Sequence, residues 1–223
     1  MSVSPGVFQS VMMEIFGEMV FRGVIVFVDD LLVYSKTKEE HFNLLKRIFN
    51  RLKLAGMKLS PEKSIFGVAE VEYLGYTINE KGYRPQKAKV DTILALDIPK
   101  TKTELKSFVG ILNFYCTSLP MLQAVLDPLH KISGSSSTFK WGDEQQIAFE
   151  KAKEILTNCT HLAFPSENGS LILTTDASDK AYGGCLSEIN EMGIEVPIRY
   201  FSGTFKSSEK NWIIREKERL IRL

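Results

Sequence analysis

The chain has 223 residues, of which 44% are hydrophobic and 25% charged, and its formal net charge is +1. These proportions are ordinary for a globular protein and indicate neither disorder nor a membrane class, and so small a net charge gives no argument for nucleic-acid binding by itself. No apolar run approaches the ~20 residues of a membrane span, and residues 1–20 lack the basic start and unbroken apolar core of a secretory leader, so a soluble intracellular protein of cytoplasm or nucleus, with no membrane partner, is expected.

Residues 5–19 place Phe8, Val11, Met12, Ile15, Phe16 and Met19 at helical spacing, opening at Pro5. Two short apolar runs follow, Val24–Val28 and Leu31–Tyr34, with Asp29-Asp30 between them. Runs rich in Val, Ile, Phe and Tyr read as strands, and a two-residue connection makes them a hairpin with Asp29 and Asp30 at its tip. Lys38–Leu54 returns to the helical period, and Ala55-Gly56 closes it.

Val71–Leu74 and Tyr76–Ile78 form a strand pattern around Gly75, followed by a turn at 79–82. Gln86–Leu96, Thr103–Tyr115, Met121–Ile132 and Trp141–Leu156 read as helices, with a flexible linker at Gly134–Ser137. The period then changes to three strands, Leu171–Thr175, Tyr182–Ser187 and Val196–Phe201, joined by turns at 178–180 and 190–193, and Trp212–Leu223 is helical again.

Asp-Asp is a poor turn sequence, since neither residue reaches positive φ as cheaply as glycine. Adjacent carboxylates repel, and each keeps its charge comfortably only beside a cation, a donor or open water. A divalent metal and a plain solvated acidic turn both satisfy that requirement. Asp176 ends a strand, with Asp179 after it and Glu216 and Glu218 on the last helix. Acids so placed can assemble a two-metal site, although two separated acids are a weak signal and their chemistry alone favours a side-chain-capped turn and an exposed helix face. The basic residues between Lys36 and Lys63 outnumber the acids there, which suits a phosphate-facing surface or a solvated helix face. Cys116, Cys159 and Cys185, like His41, His130 and His161, are scattered without metal-ligand spacing, so reduced thiols and no zinc site are expected.

Taken together, these segments resemble the reverse transcriptase and ribonuclease H region of a gypsy-type long-terminal-repeat retrotransposon Pol polyprotein. Phe27-Val28-Asp29-Asp30 is similar to the family's YxDD box, with Phe27 in the Tyr position. Pro5-Gly6-Val7-Phe8-Gln9 is similar to the segment before it, Ala55–Lys63 to the lysine-bearing palm segment, and Tyr73-Leu74-Gly75-Tyr76 to the primer-grip hairpin. Leu105–Tyr115 resembles the thumb and connection motif. Phe139–Trp141, Ala148–Lys153 and Leu162–Pro165 resemble the tether before the nuclease. Thr175–Ser178 and Asn211–Glu218 resemble the first two metal-binding motifs of ribonuclease H.

The resemblance implies an α+β fold: a partial palm hairpin, then thumb and connection helices, then the start of a ribonuclease H-like α/β domain, divided as residues 1–82, 83–165 and 166–223. It implies Mg²⁺ or Mn²⁺ held by Asp29 and Asp30 in the polymerase and by Asp176 and Glu218 in the nuclease. Gln9 would help position template or incoming nucleotide, with Phe27 also substrate-binding, Lys63 would protonate the leaving pyrophosphate, and Gly75-Tyr76 would hold the primer. The implied partners are an RNA–DNA hybrid or template–primer duplex and deoxynucleoside triphosphates.

The match also departs from the family. Its polymerase site takes a further aspartate from an earlier strand, and nothing before Asp29 fits, Glu14 and Glu18 being helix residues. Its nuclease uses four carboxylates, of which Asp176 and Glu218 are two. Cys116-Thr117 stands where basic residues are usual. The expectation is that the chain alone neither polymerises nor cleaves; the alternative function is a non-catalytic nucleic-acid-binding remnant or domesticated fragment.

Overall fold

A computed structural model of the chain describes residues 5–134, 138–206 and 209. The architecture is mixed α and β, as the sequence implies, and the chain divides into two compact units at Val68/Ala69. The strands after residue 69 group with the helices that follow them, because their pairing and ring contacts are made there.

In the first unit, helix α1 (Pro5–Phe16) leads through a short 3₁₀ turn to strands β1 (Val24–Phe27) and β2 (Asp30–Val33), and then to helix α2 (Lys38–Leu54). Met12 and Phe16 of α1 meet Val24 and Val26 of β1 and Leu44, Ile48 and Leu52 of α2 in one small core. Helix α2 spans the predicted residues because both its ends are chemically marked. Thr37 accepts from the Glu40 backbone N–H while the Glu40 carboxylate accepts from Thr37 N–H, a reciprocal capping box, and Gly56 at φ +68 ends the helix.

The second unit begins with a meander of β3 (Glu70–Tyr73), β4 (Tyr76–Asn79) and β5 (Gly82–Pro85). Strand β5 is absent from the sequence reading, since Gly and Pro at its ends argue against a strand. It forms because Tyr83 exchanges backbone hydrogen bonds of 2.9 and 2.8 Å with Leu162, which gives its outer edge a partner. Gly82 is obligatory there, because a Cβ would lie 1.9 Å from the Leu162 carbonyl oxygen.

Helices α3 (Lys87–Leu94), α4 (Lys102–Phe114), α5 (Leu122–Ser133) and α6 (Asp143–Thr157) follow. Leu105, Leu112, Leu126, Leu129 and Leu156 are fully buried between them, with the Phe108 ring tilted at 42° to that of Phe149, 4.7 Å away. The last sheet is an antiparallel β6–β7–β8 of Leu171–Ala177, Ala181–Ile189 and Glu195–Thr204, and α5 packs on its β7–β8 part. The predicted helix at 212–223 lies outside the described residues. Among the described residues, no helix is long and apolar enough to cross a membrane.

Gly82→Ala is therefore expected to destabilise the chain by about 3 kcal/mol or more. Gly193→Ala, at φ +73 with nothing within 4 Å of a new Cβ, is expected to cost only about 1 kcal/mol. Urea unfolding of the two variants checks the contrast. Burial also lowers the pKa of His130, against the pull of Asp127, and lowers that of His161. The unfolded chain then takes up protons near the ordinary histidine value of about 6.5, where the folded chain resists, so stability falls as pH drops below it. His130→Gln is expected to flatten the decline below about pH 6.5 in the same unfolding measurement.

Candidate functional site

Register fixes where the acid pair sits. Phe27 pairs with Asp30, Val26 with Leu31 and Ile25 with Leu32. The two-residue connection is therefore Val28-Asp29, one position earlier than the predicted tip, and Asp30 is the first residue of β2. Val28 takes φ +52, a left-handed conformation that a β-branched residue adopts only under outside constraint.

That constraint comes from α1. The Gln9 Nε2 donates to the Val26 carbonyl at 3.1 Å, and the Val28 N–H donates to Gln9 Oε1. One carboxamide thus clamps the backbone on both sides of Phe27 at the end of β1. Helix α1 is itself fixed by Met12 and Phe16, so the position of Asp29 descends from core packing through Gln9 to the turn. Asp29 and Asp30 are both exposed, and Phe27 beside them is 50% exposed. The structure brings Gln9, Phe27, Asp29 and Asp30 together. It places Lys63 in an exposed 3₁₀ turn, Pro61–Lys63.

In the second unit, Gly75 lies in the β3–β4 turn, where Leu74 and Gly75 take φ +49 and +83. Both central residues at positive φ suit the twist of a two-residue hairpin. Tyr76 opens β4, half-buried, in ring contact with Tyr83, Phe114 and Tyr115. Burial raises the pKa of Tyr76, Tyr83 and Tyr115, so all three hydroxyls remain proton donors at neutral pH. In the sequence Phe114 and Tyr115 stand out only as the end of the segment Leu105–Tyr115, and nothing local marks them as partners of residue 75.

Asp176 is exposed and lies inside β6 opposite Gly183, since the strand runs on to Ala177, past the predicted end at Thr175. Glu218 lies outside the described residues. Among the described residues, no three or more His, Cys, Asp or Glu side chains gather as a metal-holding group. Asp29 and Asp30 still suit a hard cation of the Mg²⁺ kind, which takes one or two protein carboxylates and completes its shell with water and substrate phosphates.

A model of reverse transcriptase (RNA-dependent DNA polymerase) matches residues 1–78, and one of the RNase H-like domain found in reverse transcriptase matches residues 141–221. The chain thus carries a reverse-transcriptase segment followed by an RNase H-like segment, the make-up of a retrotransposon Pol fragment. Its similar proteins include the Transposon Tf2-3 and Tf2-4 polyproteins of Schizosaccharomyces pombe, each 30% identical over 219 residues. The match takes in 98% of this chain and spans 16% of the length of those relatives. Among solved structures, the foamy viral protease-reverse transcriptase in complex with dsDNA matches with a TM-score of 0.83 and 25% identity, over 98% of this chain and 45% of that one. The same protein in complex with RNA/DNA hybrid matches with a TM-score of 0.83 and 26% identity, over 98% of this chain and 29% of that one.

Gln9→Ala is expected to leave the Val28 N–H and Val26 carbonyl without their partner, at a cost of about 1–3 kcal/mol. Amide exchange should quicken at Val28 while the α2 amides at Leu44–Leu52 stay protected. Unchanged exchange at Val28 would contradict the clamp.

Proposed function

We propose that this chain is the part of a gypsy-type retrotransposon Pol polyprotein that engages a template–primer or RNA–DNA hybrid duplex, and that its β1–β2 hairpin presents Asp29 and Asp30 to the Mg²⁺ or Mn²⁺ ions of nucleotidyl transfer. The observation that carries the reading is an exposed acid pair on a turn held in a strained conformation by a dedicated side chain. Strain maintained by surrounding structure is the mark of a position where geometry serves a site. The foamy viral relatives, solved with dsDNA and with RNA/DNA hybrid, support the choice of duplex.

When bound, the ions supply electrostatic stabilisation to the phosphoryl group and lower the pKa of the attacking hydroxyl. The chain's own residues set the stage for that chemistry. Asp29 and Asp30 supply negative oxygens at the turn, Gln9 fixes their backbone, and Phe27 presents an apolar surface beside them. Lys63 serves as a proton donor to the leaving pyrophosphate, Gly75 and Tyr76 hold the primer, and deoxynucleoside triphosphates are the co-substrate. Asp176 is the carboxylate of the ribonuclease H site, with Glu218 as its partner. The domain reading of palm, thumb with connection, and ribonuclease H belongs to the same proposal.

The described donor set of the hairpin, two adjacent carboxylates, favours a second reading for the chain taken alone, in which it binds duplex without extending it. Anisotropy with a labelled RNA–DNA hybrid is expected to show binding that weakens by about tenfold or more between 50 and 200 mM salt, as phosphate contacts require. Primer extension with Mg²⁺ or Mn²⁺ is expected to match an Asp29→Asn control. Absence of hybrid binding would sink the duplex reading, and template-dependent extension above the control would sink the binding-only reading.

A further inference from the structure

We infer that Tyr76 and Tyr115 form a reciprocal latch that fixes the Leu74–Gly75 turn against the C-terminal end of α4, which makes Tyr115 a positioning residue for the strand end that the turn holds. The functional half of this inference rests on the reading of Gly75 and Tyr76 as primer-holding residues.

The latch has a simple symmetry. The Tyr76 hydroxyl donates to the Phe114 carbonyl at 3.3 Å, and the Tyr115 hydroxyl donates to the Gly75 carbonyl at 3.3 Å. Each tyrosine thus reaches the carbonyl of the residue that precedes the other. Both acceptors have a reason to be available. Phe114 is the last residue of α4, where helical carbonyls lack an intrahelical donor. The Gly75 carbonyl also accepts from the Gln86 N–H at 2.9 Å, so its two lone pairs tie the turn to α4 and to the start of α3.

Ring packing leaves the turn little slack. Tyr76 meets Tyr115 edge-on at 5.5 Å and lies 5.8 Å from Phe114, while Phe114 and Tyr115 cross at 4.9 Å. A Cβ at position 75 would stand 3.2 Å from both Phe114 Cε1 and the Tyr115 hydroxyl. Leu74, a bulky residue at φ +49, supplies strain that would relax the turn if the hold were lost. The two hydroxyls can be removed one at a time with every ring left in place, which separates orientation from folding.

The test uses the full chain carrying Tyr115→Phe, Tyr76→Phe or both. Amide exchange at Tyr76 and Gln86 is expected to quicken about fivefold in either single variant, the loss of one ordinary hydrogen bond. The amides of Leu105–Leu112 should not change. The double variant should be less than additive, since one bond holds the other in place. In a second arm, a primer ending in 4-thiothymidine is photocrosslinked to the chain. Wild type is expected to crosslink within residues 74–76 and Tyr115→Phe several-fold less, with duplex affinity unchanged. Replacing Tyr115 with p-aminophenylalanine, which keeps a donor, is expected to restore the crosslink.

Unchanged exchange overturns the latch, and faster exchange with an unchanged crosslink overturns the positioning role. A wild-type chain that crosslinks nowhere in 74–76 overturns the primer-holding reading and the positioning role with it, while the exchange arm still decides the latch.

Discussion

The acid pair depends on one carboxamide. Val28 sits in a left-handed conformation that costs a β-branched residue about 1–2 kcal/mol. Two hydrogen bonds with Gln9 offset a cost of that size, one donated to the Val26 carbonyl and one accepted from the Val28 N–H, on either side of Phe27. The arrangement makes α1 a lever. Its inner face is locked by Met12 and Phe16 against Val24 and Val26, and its Gln9 carries that rigidity to the tip of the hairpin. A short two-stranded ribbon is marginal by itself. Here its geometry is borrowed from a helix that precedes it in the chain.

The second unit solves a similar problem with aromatic rings and hydroxyls. Its first turn also holds a bulky residue at positive φ, and it too is braced from outside the hairpin, by Tyr115 at the end of α4. In both units the β-turn that the proposed chemistry uses is strained locally and held remotely. Strain of this kind persists only where several contacts over-determine the backbone. The contacts that do so are few, one carboxamide in the first unit and two hydroxyls with their rings in the second, while the helical core lies around Leu105, Leu112, Leu126 and Leu156.

Much of this was legible in the sequence, and the rest was hidden for physical reasons. Helix α2 could be read to the residue because Thr37, Glu40 and Gly56 mark its ends chemically. The acid-bearing hairpin could be read from two apolar runs, but its tip could not. Val24–Val28 is apolar throughout, and the pairing stops at Phe27 because Gln9, far back in the chain, captures Val26 and Val28. Strand β5 was unreadable because Gly82 and Pro85 deny it any strand signature, and its reason to exist lies at Leu162. Asp176 could be picked out as a carboxylate on a strand, but the length of β6 beyond it is set by pairing with Gly183 and Tyr182. Periodicity reports which face is buried; it carries no information about which distant side chain ends a ladder.

The Tyr83–Leu162 exchange has a consequence for the order in which the chain matures. Strand β5 leaves the ribosome well before residue 162, and the Tyr83 hydroxyl waits longer still for the Ile198 carbonyl, 115 positions further on. Until then the meander of β3, β4 and β5 has an unpaired outer edge, the kind of surface that recruits other nascent strands. Closing it requires a residue 79 positions further along the chain, Leu162, to be made and brought back beside Tyr83. The part of the second unit that is made earliest therefore depends for its outer edge on residues made much later.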